Sequence, residues 1–398
     1  MRKNRTLLQR TSSLLLFAVA FLVCMEVLLR IVSYEEDGRI YLFSNFPLGT
    51  PPTEYQWRNR YQKVAEAEKN KSHFSKYDSI LGWSYRPNSY SNDSLFAFDE
   101  NGMRKISDQP HRCSNDSCFH VLLTGNSYVM SYETPTEKSL GYFLDSALTA
   151  RGISCQIKIA ATANYSIDQS YLEWKHRSHA FKPDLVLLGY NPKHSLGNAT
   201  LFHYLSFPET KIYFTKPCAT LDQTGNLNWV NLPTLRPEKI IDSLILNFEK
   251  SPLYEVEHAR TAPRTKPFKH EFSYLYSCYR RAFNYRPVSL SQSESNRIRA
   301  LTKKIMSEFQ REVKVTGAEF MLLEIPIFED LLEQSIGIER TDSIWEFQNT
   351  ETLSIRHALL NNLGLQGTFV PSLTHYNGKG NRVIAIELAD QIQKRKLR

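Results

Sequence analysis

Ser127 and His375 are the two residues whose chemistry and setting stand out in this chain of 398 residues. Ser127 closes the run from His120 through Val-Leu-Leu-Thr-Gly-Asn, where apolar residues suited to a buried strand meet a turn and then an amphipathic helical stretch. A hydroxyl at such a strand exit is lifted above the carboxyl edge of a sheet and held by a rigid scaffold, as a nucleophile requires. Gly125 lets the backbone turn sharply, and the Ser127 amide can face a developing oxyanion. His375 stands just before the turn Asn377-Gly-Lys-Gly380, beyond which apolar residues recur at helical spacing. An imidazole in that place is exposed enough to carry protons. Each signal alone has a plainer reading. Strand-Gly-x-Ser turns abound, and a lone loop histidine is more often a capping residue.

Two further stretches lie between them. Ala163-Asn164-Tyr-Ser-Ile-Asp-Gln169 closes a strand around Ile157–Ala161, and Lys182-Pro-Asp-Leu-Val-Leu-Leu-Gly-Tyr-Asn191 is another apolar strand ending in an amide side chain. In this order the four stretches resemble the blocks of the SGNH (GDSL-type) hydrolases. Ser127 matches the nucleophile of Gly-Asp-Ser, with Asn126 replacing the aspartate. Asn164 matches the glycine of the second block, whose backbone amide helps to form the oxyanion hole. Asn191 matches the asparagine of Gly-x-Asn-Asp; some relatives carry it two residues later, where this chain has Lys193. His375, Asn377 and Gly380 match the last block, Asp-x-x-His-x-Asn-x-x-Gly, but its acid is missing: Ser372 and Leu373 occupy the positions three and two before the histidine. Upstream, Tyr77-Asp-Ser-Ile-Leu-Gly-Trp83, Arg86-Pro-Asn88, Asn101-Gly-Met-Arg104 and Glu26-Val-Leu-Leu-Arg30 resemble the leader of membrane-tethered bacterial members. The resemblance spans roughly two thirds of the chain, and its specificity lies in the order and spacing of the blocks.

The resemblance implies a flavodoxin-like three-layer α/β/α fold with a parallel sheet, and Ser-His catalysis through an acyl-enzyme. Ser127 would attack, with His375 as general base and then acid. The amides of Ser127 and Asn164 and the side chain of Asn191 would hold the oxyanion. Without the acid, a water, a backbone carbonyl, Ser372 or a remote carboxylate such as Asp330 would have to orient His375. Supplying an acid by Ser372→Asp would then raise the rate. Two functions of different class follow: a serine esterase or O-acyl transferase/deacylase acting on an acylated glycan, lipid or small ester, or a degenerate member that binds a glycan or protein partner without turnover. No cofactor is expected, and no grouping of the cysteines and histidines makes a convincing zinc site.

The elements that must position these residues follow from patterning. Strands Phe119–Leu123, Gln156–Ala160 and Leu185–Gly189 alternate with helices near Lys138–Ala150 and Asp168–His179, which argues for a parallel sheet covered on both faces. The pattern resumes with helix Ser293–Val315, strand Glu319–Ile325 and a helix near Ser354–Leu363. In between, about 197–290 reads as an insertion on the substrate side, with a hairpin of Lys211–Phe214 and Leu227–Leu232, helices at Glu238–Lys250 and Phe272–Phe283, and a loop at Thr261–Pro267.

The amino terminus reads as a membrane anchor. Arg2, Lys3, Arg5 and Arg10 precede an uncharged run from Thr11 to Met25, and helical continuation brings it near the ~20 residues a bilayer requires. Basic residues before the span favour a cytoplasmic N-terminus and an extracytoplasmic main domain, and no small-x-small cleavage site follows. The expected organisation is a cytoplasmic tail at 1–10, an anchor at 11–31, a tether and irregular flap at 32–118, and the α/β domain at 119–398. A net charge of +8 invites a nucleic-acid reading, but the basic residues are partly terminal and not interleaved with aromatics, so no nucleic-acid partner is expected. Of six cysteines, Cys113 and Cys118 flank a polar turn and could close a small loop.

Overall fold

Five parallel strands, β1 (Phe119–Gly125), β2 (Cys155–Ala161), β3 (Leu185–Tyr190), β4 (Glu319–Glu324) and β5 (Thr352–Leu353), form one sheet in the order β2-β1-β3-β4-β5. This is the flavodoxin-like order, in which a ligand crevice opens at the carboxyl ends of β1 and β3, where the winding reverses. The structure is a computed structural model and describes residues 2–36, 39–43, 46–48, 54–107, 118–203, 210, 212–242, 250–257, 273–279, 290–338, 347 and 350–396. Its helices include α1 (Arg2–Val32), α2 (Glu54–Asn70), α3 (Ser127–Met130), α4 (Leu140–Ala150), α5 (Ile167–His176), α6 (Tyr274–Tyr279), α7 (Gln292–Val315), α8 (Phe328–Ser335), α9 (Arg356–Thr368) and α10 (Gly378–Lys396).

The three layers follow from the strand period of two. Val121 and Leu123 of β1 face Leu144, Ile384 and Leu388 on one side, whereas Leu122 faces Tyr171, Trp174 and Phe309 on the other. In α7 the buried residues Ile298, Leu301, Ile305, Phe309 and Val313 recur every three or four positions, and a Ser291–Glu294 capping box starts the helix. Basic residues in the last turn of α10 complement its dipole.

Ser12–Val32 is long and apolar enough to cross a membrane, with a mean hydropathy of 2.5, a character that signal sequences share. The stretch expected to be an irregular flap is more ordered than its Pro, Asn and Ser clusters suggest. It holds α2 and a hairpin of Ser75–Asp78 with Gly82–Tyr85. Its aromatic side chains, Phe74, Tyr85, Phe96 and Phe98, pack into the core beneath α4 and thereby fix the backbone.

In the insertion the turn Thr224-Gly-Asn226 falls where expected, but the first hairpin strand is Cys218–Leu221 rather than Lys211–Phe214. Asp222 sets this register: its carboxylate accepts from the amides of Thr224 and Asn226, which closes the turn and pairs Leu221 with Leu227. Of the helix expected at Glu238–Lys250, an α-helical turn is found at Pro237–Ile240; residues 243–249 and the loop at 261–267 lie outside the described residues. The helix expected at Phe272–Phe283 is described over Tyr274–Tyr279. Cys118 is disulfide-bonded, while Cys24, Cys155, Cys218 and Cys278 are free; Cys113 lies outside the described residues.

Candidate active site

Gly125 ends β1 with φ +143°, and a Cβ there would come within 2.9 Å of the Gly189 carbonyl on β3. Gly125 thus lets β1 and β3 approach at the crevice, Gly189 leaves room for the Val129 side chain of α3, and Ser127 begins α3 directly above. The Asn126 side chain caps α3, its Oδ1 accepting from the Tyr128 amide at 3.1 Å. Ser131, at φ +59°, stops the helix after about one turn, so the chain doubles back and brings Glu133 beside the helix it has just left.

His375 arrives from the far end of the chain. Its loop is tied by Asn377, whose side chain donates to the carbonyls of Gly367 and Phe369 and accepts from the amides of Lys379 and Gly380 at the start of α10. Gly380 is needed there because a Cβ would lie 2.6 Å from the Thr368 carbonyl. The ring joins the other two groups: His375 Nε2 is 2.8 Å from Ser127 Oγ, and His375 Nδ1 is 2.5 Å from Glu133 Oε2. Tyr128 and Tyr132 pack against the ring, with centroids 5.1 and 5.8 Å away.

Glu133 is the carboxylate that the last-block pattern lacks, and the sequence reading missed it. It also accepts from Thr374 Oγ1 at 2.5 Å and from Ser372 Oγ at 3.3 Å. The hydrogen bond from His375, then those from Thr374 and Ser372, hold its carboxyl below the usual range despite partial burial. Ser372 therefore supports the acid rather than replacing it. Asp330 plays no part at the imidazole: it accepts from Asn191 Nδ2 at 2.6 Å and caps the start of α8. The available signal for Glu133 was proximity alone, a carboxylate six residues beyond Ser127.

The oxyanion candidates fare differently. The Ser127 amide is in the first turn of a helix, where no intrahelical acceptor exists. Asn164 has φ +62°, the left-handed region that asparagine tolerates better than other non-glycine residues, so it can stand where the block has glycine. Its amide has no partner among the described residues. Asn191 differs from the sequence-based assignment. Its Nδ2 donates to the Ile325 carbonyl at 2.7 Å and to Asp330, so both amide hydrogens point into the protein and neither reaches an oxyanion.

His194, also missed, lies against Asn126, the residue that precedes Ser127. Asn126 Nδ2 is 2.7 Å from His194 Nδ1. Since Asn126 Oδ1 already accepts from Tyr128, the amide presents a donor, and the His194 ring must accept through Nδ1 and carry its proton on Nε2. Asn126 thus makes a bond that the aspartate of the block could not donate.

The leader motifs hold both sides of this site. Trp83 Nε1 donates to the Ala163 carbonyl, the Ala163 amide donates to the Tyr85 hydroxyl, and the Tyr165 hydroxyl donates to the Trp83 carbonyl, at 3.1, 2.9 and 2.6 Å. These bonds bracket Asn164. Arg104, which is buried, donates to the carbonyls of Met130, Ser131 and Thr134 at 2.7–2.8 Å. They bracket Glu133.

No group of His, Cys, Asp and Glu able to hold a metal ion is found among the described residues.

No family model matches this sequence, and no curated protein matches it. Solved structures similar to it are esterases of the SGNH, or GDSL, type. One is the psychrotrophic esterase EstA from Pseudoalteromonas sp., at 11% identity and TM-score 0.36, covering 70% of this chain and 99% of that one. Others are the acetylxylan esterase Axe2 from Geobacillus stearothermophilus (12% identity, TM-score 0.36, 69% and 94% covered) and the acetyl xylan esterase AlAXEase (10%, 0.36, 69% and 100%). Likeness of this degree assigns no activity, and the chemistry is drawn from the side chains themselves.

Proposed function

We propose that this chain is a membrane-anchored serine esterase or O-acyl transferase of the SGNH type, working outside the cytoplasm. The observation that carries the reading is the continuous chain Ser127–His375–Glu133, at 2.8 and 2.5 Å. Ser127 Oγ attacks the ester carbonyl while its proton passes to His375 Nε2. Glu133 fixes the ring with Nδ1–H toward itself and stabilises the imidazolium that forms. The amides of Ser127 and Asn164 are the candidate donors to the tetrahedral oxyanion. As the C–O bond to the alcohol breaks, His375 returns the proton to the leaving oxygen and an acyl-Ser127 remains. Water or a sugar hydroxyl then attacks, giving up its proton to His375, and Ser127 is released. The substrate class is an O-acylated glycan, lipid or small ester. The binding-only alternative rested on Asn126, Asn164 and a missing acid, and Glu133 beside His375 speaks against the last of these.

The anchor reading is supported by the apolar Ser12–Val32 helix following Arg2, Lys3, Arg5 and Arg10, and by the disulfide at Cys118, a bond that persists in oxidising compartments. The test is reaction with a fluorophosphonate and turnover of p-nitrophenyl acetate. A single adduct on Ser127, with both labelling and turnover lost in Ser127→Ala, is expected. A wild-type protein that neither labels nor hydrolyses would overturn the reading.

A further inference from the structure

Glu26 lies inside the apolar α1 helix, where an unpaired carboxylate is costly. Its partners are distant in sequence. Ser273 Oγ and the amides of Tyr274 and Leu275, at the start of α6, all donate to it at 2.9–3.0 Å. Arg30, one turn further along α1, bonds Glu26 at 2.8 Å and lays its guanidinium over the Tyr274 ring at 4.3 Å. Leu275 shares a groove with Val19, Leu22, Val23 and Val27 of the same helix. The insertion is thus latched to the upper part of the span.

The depth of that latch has a consequence. Glu26 is six residues before the end of α1 at Val32, a rise of about 9 Å. Whatever bonds Glu26 therefore reaches below the top of the helix, to the depth of the headgroup and acyl boundary where interfacial helices settle. The sequence of α6 and its preceding serine, Ser273-Tyr-Leu-Tyr-Ser-Cys-Tyr279, has no charge and three tyrosines, the side chain suited to that zone. Tyr276 and Tyr279 are 41% and 54% exposed.

Building on the anchor reading, we propose that α6 is a second membrane contact, lying in the outer headgroup zone, held there by Glu26, with Tyr276 and Tyr279 toward lipid. The catalytic domain would then be held at the bilayer surface by two elements instead of swinging on one tether.

The experiment uses the full chain in phosphatidylcholine vesicles, with Cys24 and Cys278 replaced by serine and an environment-sensitive NBD label on Tyr279→Cys. We expect blue-shifted emission and roughly twofold quenching by lipids spin-labelled near the headgroup, as for a group within 5–10 Å of that boundary. The same label on Val315→Cys, at the exposed end of α7, should stay water-like. Glu26→Ala should shift the Tyr279 label toward the Val315 behaviour. A Tyr279 label as wet as that at Val315, in protein that resists carbonate extraction, overturns this inference alone. Quenching unchanged by Glu26→Ala overturns the latch. Release by carbonate overturns the anchor and this inference together, while fluorophosphonate labelling reports separately on the catalytic reading.

Discussion

Two buried cations, Arg104 and Lys216, each attach an added segment to the α/β core, and they do so in opposite ways. Arg104 comes from the flap, lies over the Phe96 ring and donates to backbone carbonyls, those of Met130, Ser131 and Thr134, with no carboxylate bonded to it. Burial pushes its pKa down to about 9. Lys216 comes from the insertion and meets a carboxylate, Asp168 at the start of α5, at 2.5 Å with both side chains fully buried. Burial opposes its charge, but Asp168 beside it wins and holds its pKa above the ordinary value. Around this ion pair Lys216 also meets the Gly197 carbonyl and Cys218, and Asp168 accepts from Ser166 and from the Gln169 amide, so none of its hydrogen bonds goes to Ser127, His375 or Glu133. The Arg104 fork ends on the turn that carries Glu133. Similar burial therefore serves unequal ends: one cation ties the insertion to α5, the other holds the turn that carries Glu133.

Lys216→Met should separate these roles most strongly. It leaves the buried Asp168 without its counter-charge, and we expect a loss of about 3–5 kcal/mol in unfolding free energy, measured by urea titration in detergent. The fluorophosphonate labelling rate per folded molecule should stay near wild type, and pairing it with Asp168→Leu should recover much of the stability. Arg104→Met should show the converse. The Glu133 turn loses its tie, and kcat for p-nitrophenyl acetate should fall by about 10²-fold with KM little changed, as expected for catalytic groups displaced by about 1 Å. Its melting temperature should drop less than that of Lys216→Met. An equal loss of stability in the two, with kcat tracking only the folded fraction, would erase the distinction.

The smallest expected effect concerns Ser372→Asp. The last-block pattern leads one to expect a rate increase from an acid at this position. The structure reverses that expectation, because Ser372 Oγ already donates to Glu133. A second carboxylate would repel the first and draw His375 from its alignment, so the hydrolysis rate should fall about tenfold. A rise in rate would show that Glu133 does not serve the ring.

The sequence made the strand exits legible because buried parallel strands read as apolar runs, and Ser127 sits just past one; His375, between α9 and α10, was legible from the glycine-rich turn that follows it. The helices α5 and α7 were equally legible, expected near Asp168–His179 and at Ser293–Val315. Glu133 was not. It is recruited by a left-handed turn at Ser131 and by carbonyl bonds from Arg104, and neither event has a periodicity. Asn191 misled for a related reason: position on a strand end says nothing of side-chain direction, and Asp330, contributed by a helix far along the chain, turns its amide inward. The order in the flap was hidden because its hairpin is too short to show alternation and its aromatics follow no period until the core they enter is known.

The central claim is that Glu133 completes the relay from Ser127 through His375, and Glu133→Gln tests it with little change in shape. The measurement is the second-order rate of fluorophosphonate inactivation, with the adduct mapped to Ser127 and folding checked by thermal melting. A glutamine can hold the ring but cannot stabilise the imidazolium, and an amide at the acid's place favours the wrong tautomer. The account predicts a fall of about 10³–10⁴-fold with melting nearly unchanged. An inactivation rate within about threefold of wild type, less than 1 kcal/mol in barrier, would contradict it.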